Sequence, residues 1–202
     1  MTQIGIKKTN SKKLEYLEEK HYGEDRKEEY LHSILVENKN LIMDELSDSE
    51  LVLFGSKITL QTGKEADIIF CDEEGNLYLI ELKRDKSPRE AIVQLFDYAS
   101  SLERLDAEDL IEISKDYDSL KSLYEKFDRL EEEEFDFDKF RKNISESLKS
   151  PQLVLISYNI GEDVKRITKW LRDNYDLLIN CVEFDYYRDE GASKEIFVPK
   201  II

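Results

Sequence analysis

Cysteine and histidine are scarce in this 202-residue chain: Cys71, Cys181, His21 and His32 are all there are. Without close spacing, those four make a structural zinc site improbable. Both cysteines lie in apolar strand patterns. They read as buried thiols of a reducing cytoplasm, with a single disulfide as the alternative. Long apolar runs are missing too. Stretches such as IIF, LVL and LVLIS fall far short of the ~20 residues that span a bilayer. The opening MTQIGIKKTNSKK has no apolar core of a secretory signal, so the expectation is a cytoplasmic protein with no membrane segment. Positive charge is outnumbered, and the net charge is −16. A chain this acidic is a poor non-specific binder of nucleic acid. It is nevertheless 40% apolar and 10% aromatic against 38% charged, which suits a folded domain with one core.

Periodicity gives the organisation, and no internal repeat is visible. Residues 1–23 form an N-terminal segment, basic at first, read as an extended arm or short helix. A single domain is expected over 24–202. Residues 24–38 have helical period, with Leu31, Ile34, Leu35 and Leu41 as the apolar stripe and Glu28 on that stripe. LVLFGSKITLQ (51–61) reads as a strand bent or bulged at Gly55. Ser87-Pro88-Arg89-Glu90 is a capping box with proline at the first helical position. It opens a helix to about Leu102 whose apolar side is Ala91, Ile92, Leu95, Phe96, Ala99 and Leu102. Residues 103–149 hold sixteen acids against nine bases, including EEEEFDFD, yet keep recurring apolar residues; they read as an acidic helical insertion. Strand, helix and strand follow at 152–187, the helix turning Val164, Ile167, Trp170 and Leu171 inward. Alternating strands and helices predict an α/β fold with a mixed sheet.

The stretch GKEADIIFCDEEGNLYLIELKRD (63–85) carries the chemistry. It predicts a hairpin with loop Glu73–Gly75 and Gly75 in the left-handed position. In that register Asp67 stands opposite Glu81, about 5 Å away at Cβ, where like charges destabilise. Leu77, Leu79 and Ile69 share a face with Glu81 and Lys83; Ile68, Phe70, Tyr78, Ile80 and Leu82 make the other face apolar as well. Two acids at the end of a buried face suffer desolvation and mutual repulsion, and a divalent cation between them reverses the sign. Oxygen ligands select Mg²⁺ or Mn²⁺. Lys83 points into the same place, where it can orient a water or neutralise a phosphate.

Asp67 with Glu81-Leu82-Lys83 resembles the D…E-x-K signature of the PD-(D/E)XK nuclease superfamily. The wider pattern E-x-x-L…G-x-x-A-D-I-I-F…D-x-x-G…L-I-E-L-K-R…A-x-x-Q-L-x-x-Y, from Glu28 to Leu102, looks like the catalytic domain of NucS/EndoMS-type endonucleases. The resemblance implies a restriction-endonuclease-like mixed β-sheet flanked by helices, and Mg²⁺-dependent hydrolysis of phosphodiester bonds in DNA. It implies catalytic roles for Asp67, Glu81, Lys83 and Gln94, and metal ligation by Asp67, Glu81 and Glu28, with Glu29 as fallback. Tyr98 would line the cleft, although packing is its plainer reading. Two departures stand. Glu65-Ala66 replaces the usual proline before the first Asp, and the chain is too short for the separate DNA-binding domain of NucS-type enzymes, so mismatch specificity does not carry over. Lys57, Lys64, Arg84, Lys86 and Arg89 cluster near the site in sequence and suit a phosphate backbone. The acidity of the chain leaves three further expectations: charge segregated so that the acidic insertion lies away from a basic cleft, a partner protein or homodimer that supplies the grip, or a nuclease fold kept as a catalytically weak binding module.

Overall fold

Eight strands form one mixed sheet in the described residues of the computed structural model, which are 3–6, 15–20, 27–46, 49–87, 89–127, 136–189 and 194–202. In chain order they are β1 (Gln3–Ile6), β2 (Glu15–Glu19), β3 (Leu51–Thr59), β4 (Glu65–Asp72), β5 (Leu77–Ser87), β6 (Gln152–Ile160), β7 (Ile179–Arg188) and β8 (Glu195–Ile201). The helices are α1 (Glu28–Glu37), α2 (Asn40–Leu46), α3 (Glu90–Leu102), α4 (Ala107–Ser114), α5 (Leu120–Tyr124), α6 (Phe137–Ser147) and α7 (Glu162–Tyr175). β3, β4 and β5 form an antiparallel meander. β5, β6 and β7 run parallel, and β8 returns antiparallel on β7.

Both faces of the sheet are covered, as the two-sided apolar pattern of β4 and β5 requires. Leu31, Leu35 and Ile42 of the first two helices pack on Ile68, Phe70, Ile80 and Ile156. On the other face Ala91, Leu95 and Leu102 of α3 and Val164 of α7 cover Ile69, Leu79 and Leu155. This is the arrangement expected of a restriction-endonuclease-like domain. No described helix is long and apolar enough to cross a membrane. Cys71 and Cys181 are free and buried, which removes the disulfide alternative.

The acidic insertion adds to the second layer. Leu110, Leu123, Phe140 and Ile144 belong to the same apolar cluster as α3. α6 also holds the tip of the β4–β5 hairpin: Asn143 Nδ2 donates to the Glu74 carbonyl at 2.7 Å, and Leu77 N–H donates to Ser147 Oγ at 2.8 Å. The Glu131–Glu134 run lies outside the described residues.

Several expectations are corrected. The N-terminal segment, read as an extended arm or short helix, is extended where it is described, and it is paired rather than helical. β1 and β2 pair antiparallel, and β2 meets Arg188 and Tyr187 at the far end of β7. β8 was not anticipated. Trp170 is 52% exposed and contacts Tyr175 edge-on, because Val164 and Thr168 are the buried residues of α7. Phe96 turns outward for the same reason: Ile92, Leu95 and Tyr98 take the inner arc of α3. α3 begins at Glu90 after Arg89, which makes no side-chain cap; the Ser87 side chain and Pro88 of the expected capping box lie outside the described residues.

Candidate functional site

The hairpin keeps the register its turn dictates. Asp72 N–H reaches the Asn76 carbonyl at 3.0 Å, Gly75 has φ +95°, and Ile68 faces Ile80. One step on, the backbone ladder gives way. Asp67 Oδ2 accepts the Leu82 N–H at 2.9 Å, so a side chain does the work of a strand carbonyl. The acids stand where β4 and β5 part, midway along β5.

Both acids are buried: Asp67 is 7% exposed and Glu81 is 2%. Each holds a lysine. Lys83 Nζ, from the same face of β5, donates to Glu81 Oε1, and Lys57 Nζ, from β3, donates to Asp67 Oδ1. Lys57 lies opposite Asp67 in the β3–β4 register, between Ser56↔Ile68 and Ile58↔Ala66. It follows the bulge between Leu53 and Gly55, and its backbone is left-handed, at φ +51°. Left-handed backbone costs a non-glycine residue about 1 kcal/mol. Burial works to lower the Lys57 pKa, but the bond to Asp67 and the charges of Asp67, Glu28 and Glu65 raise it overall, so the ammonium persists.

Glu81 is less well matched. Its Oε2 is buried and has no hydrogen-bond partner among the described residues, a costly state for a carboxylate. Burial pushes the Glu81 carboxyl up to about 7, against the downward pull of the Lys83 bond and with an upward push from Asp67 and Glu28. The hydroxyl of Tyr98, buried on α3, is driven up to about 12 by burial and by the charges of Glu81 and Asp67; it remains a proton donor.

α1 docks on this end of the sheet through two contacts. Glu28 Oε2 accepts the Arg84 N–H at 3.1 Å, and His32 Nε2 lies 3.2 Å from the Asp67 carbonyl. A carbonyl only accepts, so His32 Nε2 carries the proton there. Glu29 is exposed, which makes Glu28 the acid beside the pair. Gln94 is half-buried on α3 and makes no hydrogen bond to described residues. Sequence reasoning missed His32 altogether, and it read Lys57 only as one of a run of cations. The sole signal for His32 is spacing, one helical turn after Glu28, and Lys57 has none.

The basic cluster is largely committed elsewhere. Lys64 pairs with Asp97 at 3.0 Å and Arg89 pairs with Asp163. Arg84 is exposed, and the Lys86 side chain lies outside the described residues. Among the described residues no three Asp, Glu, His or Cys side chains converge as a metal-ligand set. Glu28 is near the pair but bonded to β5. What fits a hard cation is the pair itself, with the partnerless Glu81 Oε2; one or two carboxylates and several waters are usual for Mg²⁺.

No protein-family model matches this chain, and no curated protein matches it. A solved structure similar to it is that of a repair endonuclease from Pyrococcus abyssi, at 16% identity and a TM-score of 0.43. The match covers 75% of this chain and 45% of that one. A likeness at this level decides neither family nor activity.

Proposed function

We propose that this chain is a metal-dependent nuclease that hydrolyses phosphodiester bonds in DNA. The reading is carried by one observation: two neighbouring buried acids where β4 and β5 part, one with an oxygen that no described donor satisfies. Asp67 and Glu81 would hold Mg²⁺ or Mn²⁺, with Glu28 completing the shell after release from Arg84. A cation held there would lower the pKa of an attacking water and take up charge developing on the phosphate. Lys83 holds or activates that water from its place beside Glu81. Gln94 and Tyr98, one helical turn apart on α3, orient the substrate from the flank.

The test is incubation with single-stranded, branched and duplex DNA, and with RNA, in Mg²⁺ or Mn²⁺. Lys83→Ala should lose at least about a hundredfold in cleavage rate while still binding Mn²⁺. Equal behaviour of wild type and variant on every substrate would end the catalytic reading.

A second reading has its own support. Lys57, Lys64 and Arg89 are each held by an acid, and the net charge is −16, so the cleft has few cations left for phosphates. On that reading the fold is a catalytically weak module that acts by binding. Calorimetric titration with Mn²⁺ separates the two, because such a module shows no Asp67-dependent heat.

A further inference from the structure

Lys57 has no place in the mechanism above, yet its position is costly and specific. It follows a β-bulge, takes a left-handed backbone, and sits across the ladder from Asp67 with its ammonium on Oδ1. The other oxygen of Asp67 is already taken by the Leu82 N–H. Each oxygen keeps a further acceptor site, so what a cation binding Asp67 meets is a rival positive charge on Oδ1, and of the two partners the lysine is the one on a flexible side chain. Its side chain is 44% exposed, so the flexible stem has solvent to swing into. Lys83 is more confined, at 21% exposure, and it engages Glu81 instead.

Resting on the proposed nuclease reading, we infer that Lys57 is a built-in counter-ion that competes with the divalent cation for Asp67. It stabilises the cation-free fold and sets a threshold cation concentration below which the site stays closed by its own ammonium. Direct competition and general charge repulsion make different demands on Lys64. That residue carries the same charge on the neighbouring loop but is ion-paired with Asp97, so removing it should not free Asp67.

The test is Mn²⁺ titration of the intact protein, read by calorimetry and by the electron paramagnetic resonance signal of free Mn²⁺. Lys57→Met should bind Mn²⁺ about fivefold more tightly than wild type, and Lys64→Met should stay within about twofold. The gain should vanish in Lys57→Met/Asp67→Asn, and in Lys57→Met/Glu81→Gln should the first double variant fold poorly. The Mn²⁺-induced rise in Tm should also be larger for Lys57→Met than for wild type, since the cation-free variant has lost a partner for Asp67. If wild type shows Asp67-dependent binding that Lys57→Met leaves unchanged or weaker, the counter-ion role is wrong and the metal site stands. A tightening of the same size in Lys64→Met also overturns it. If no variant shows Asp67-dependent binding, the nuclease reading falls and takes this inference with it.

Discussion

At the scale of single residues, the unusual group is the Glu81 carboxyl, raised from 4.5 to about 7. The folded state holds that proton more tightly than the unfolded chain does. Its contribution to stability is therefore complete below pH 4.5 and disappears as pH climbs through about 7. Calorimetry in chelator should show Tm falling across that window more steeply for wild type than for Glu81→Gln; parallel curves would mean that Glu81 titrates normally. The hairpin register up to Ile68 and Ile80 was legible in the sequence because a tight turn fixes register locally, and it brings Asp67 and Glu81 to the point where the strands part. Lys57 was not legible. Its partner depends on pairing to a second strand and on a bulge that shifts the count, and neither leaves a periodic trace. Trp170 and Phe96 were misread for a different reason. A helix lying on one face of a sheet buries a narrow arc, and a wide apolar stripe overstates how much of it faces inward.

Between elements, the contact that matters most is that of α6 with the hairpin tip. A Cβ on Gly75 would stand 2.6 Å from the Phe140 carbonyl, and φ there is +95°. Gly75→Ala is expected to destabilise by about 2–3 kcal/mol, from backbone strain and the clash together. Asn143→Ala removes only the bond to Glu74 and should cost about 1 kcal/mol by urea unfolding. Equal costs would show that α6 gives way freely. The β4–β5 hairpin, α3 and the strand–helix–strand at the C-terminal end follow from period and turn chemistry, and they were readable. β1 and β2 were not: Gln3–Ile6 and Glu15–Glu19 are polar or mixed, and they gain strand structure only from the end of β7. β8 contains Pro199, a residue that usually argues against a strand and is tolerated here at the outer edge of the sheet.

For the molecule as a whole, the insertion is a wall of the core. Phe140 is 1% exposed and its ring meets Tyr124 at 5.1 Å and Phe127 at 6.0 Å. Phe140→Ala should cost about 3–5 kcal/mol, and deletion of 106–148 should yield aggregated protein, seen as material lost from the size-exclusion monomer or oligomer peak. Charge at this scale predicts weak dependence of DNA affinity on salt. With Lys64 and Arg89 tied to Asp97 and Asp163, a log–log slope between 50 and 200 mM salt should be no steeper than about −2 by fluorescence anisotropy. A slope typical of a basic groove would show those pairs breaking on contact. The order of strands has a further consequence, in time rather than in space. β3, β4 and β5 are consecutive in the chain, whereas β6 must close a loop around residues 88–151 before it can pair with β5. Both acids and Lys57 thus belong to a local meander expected to form before its parallel neighbour arrives: weakening it should slow refolding, while cutting β8 contacts should mainly hasten unfolding, as stopped-flow kinetics would show.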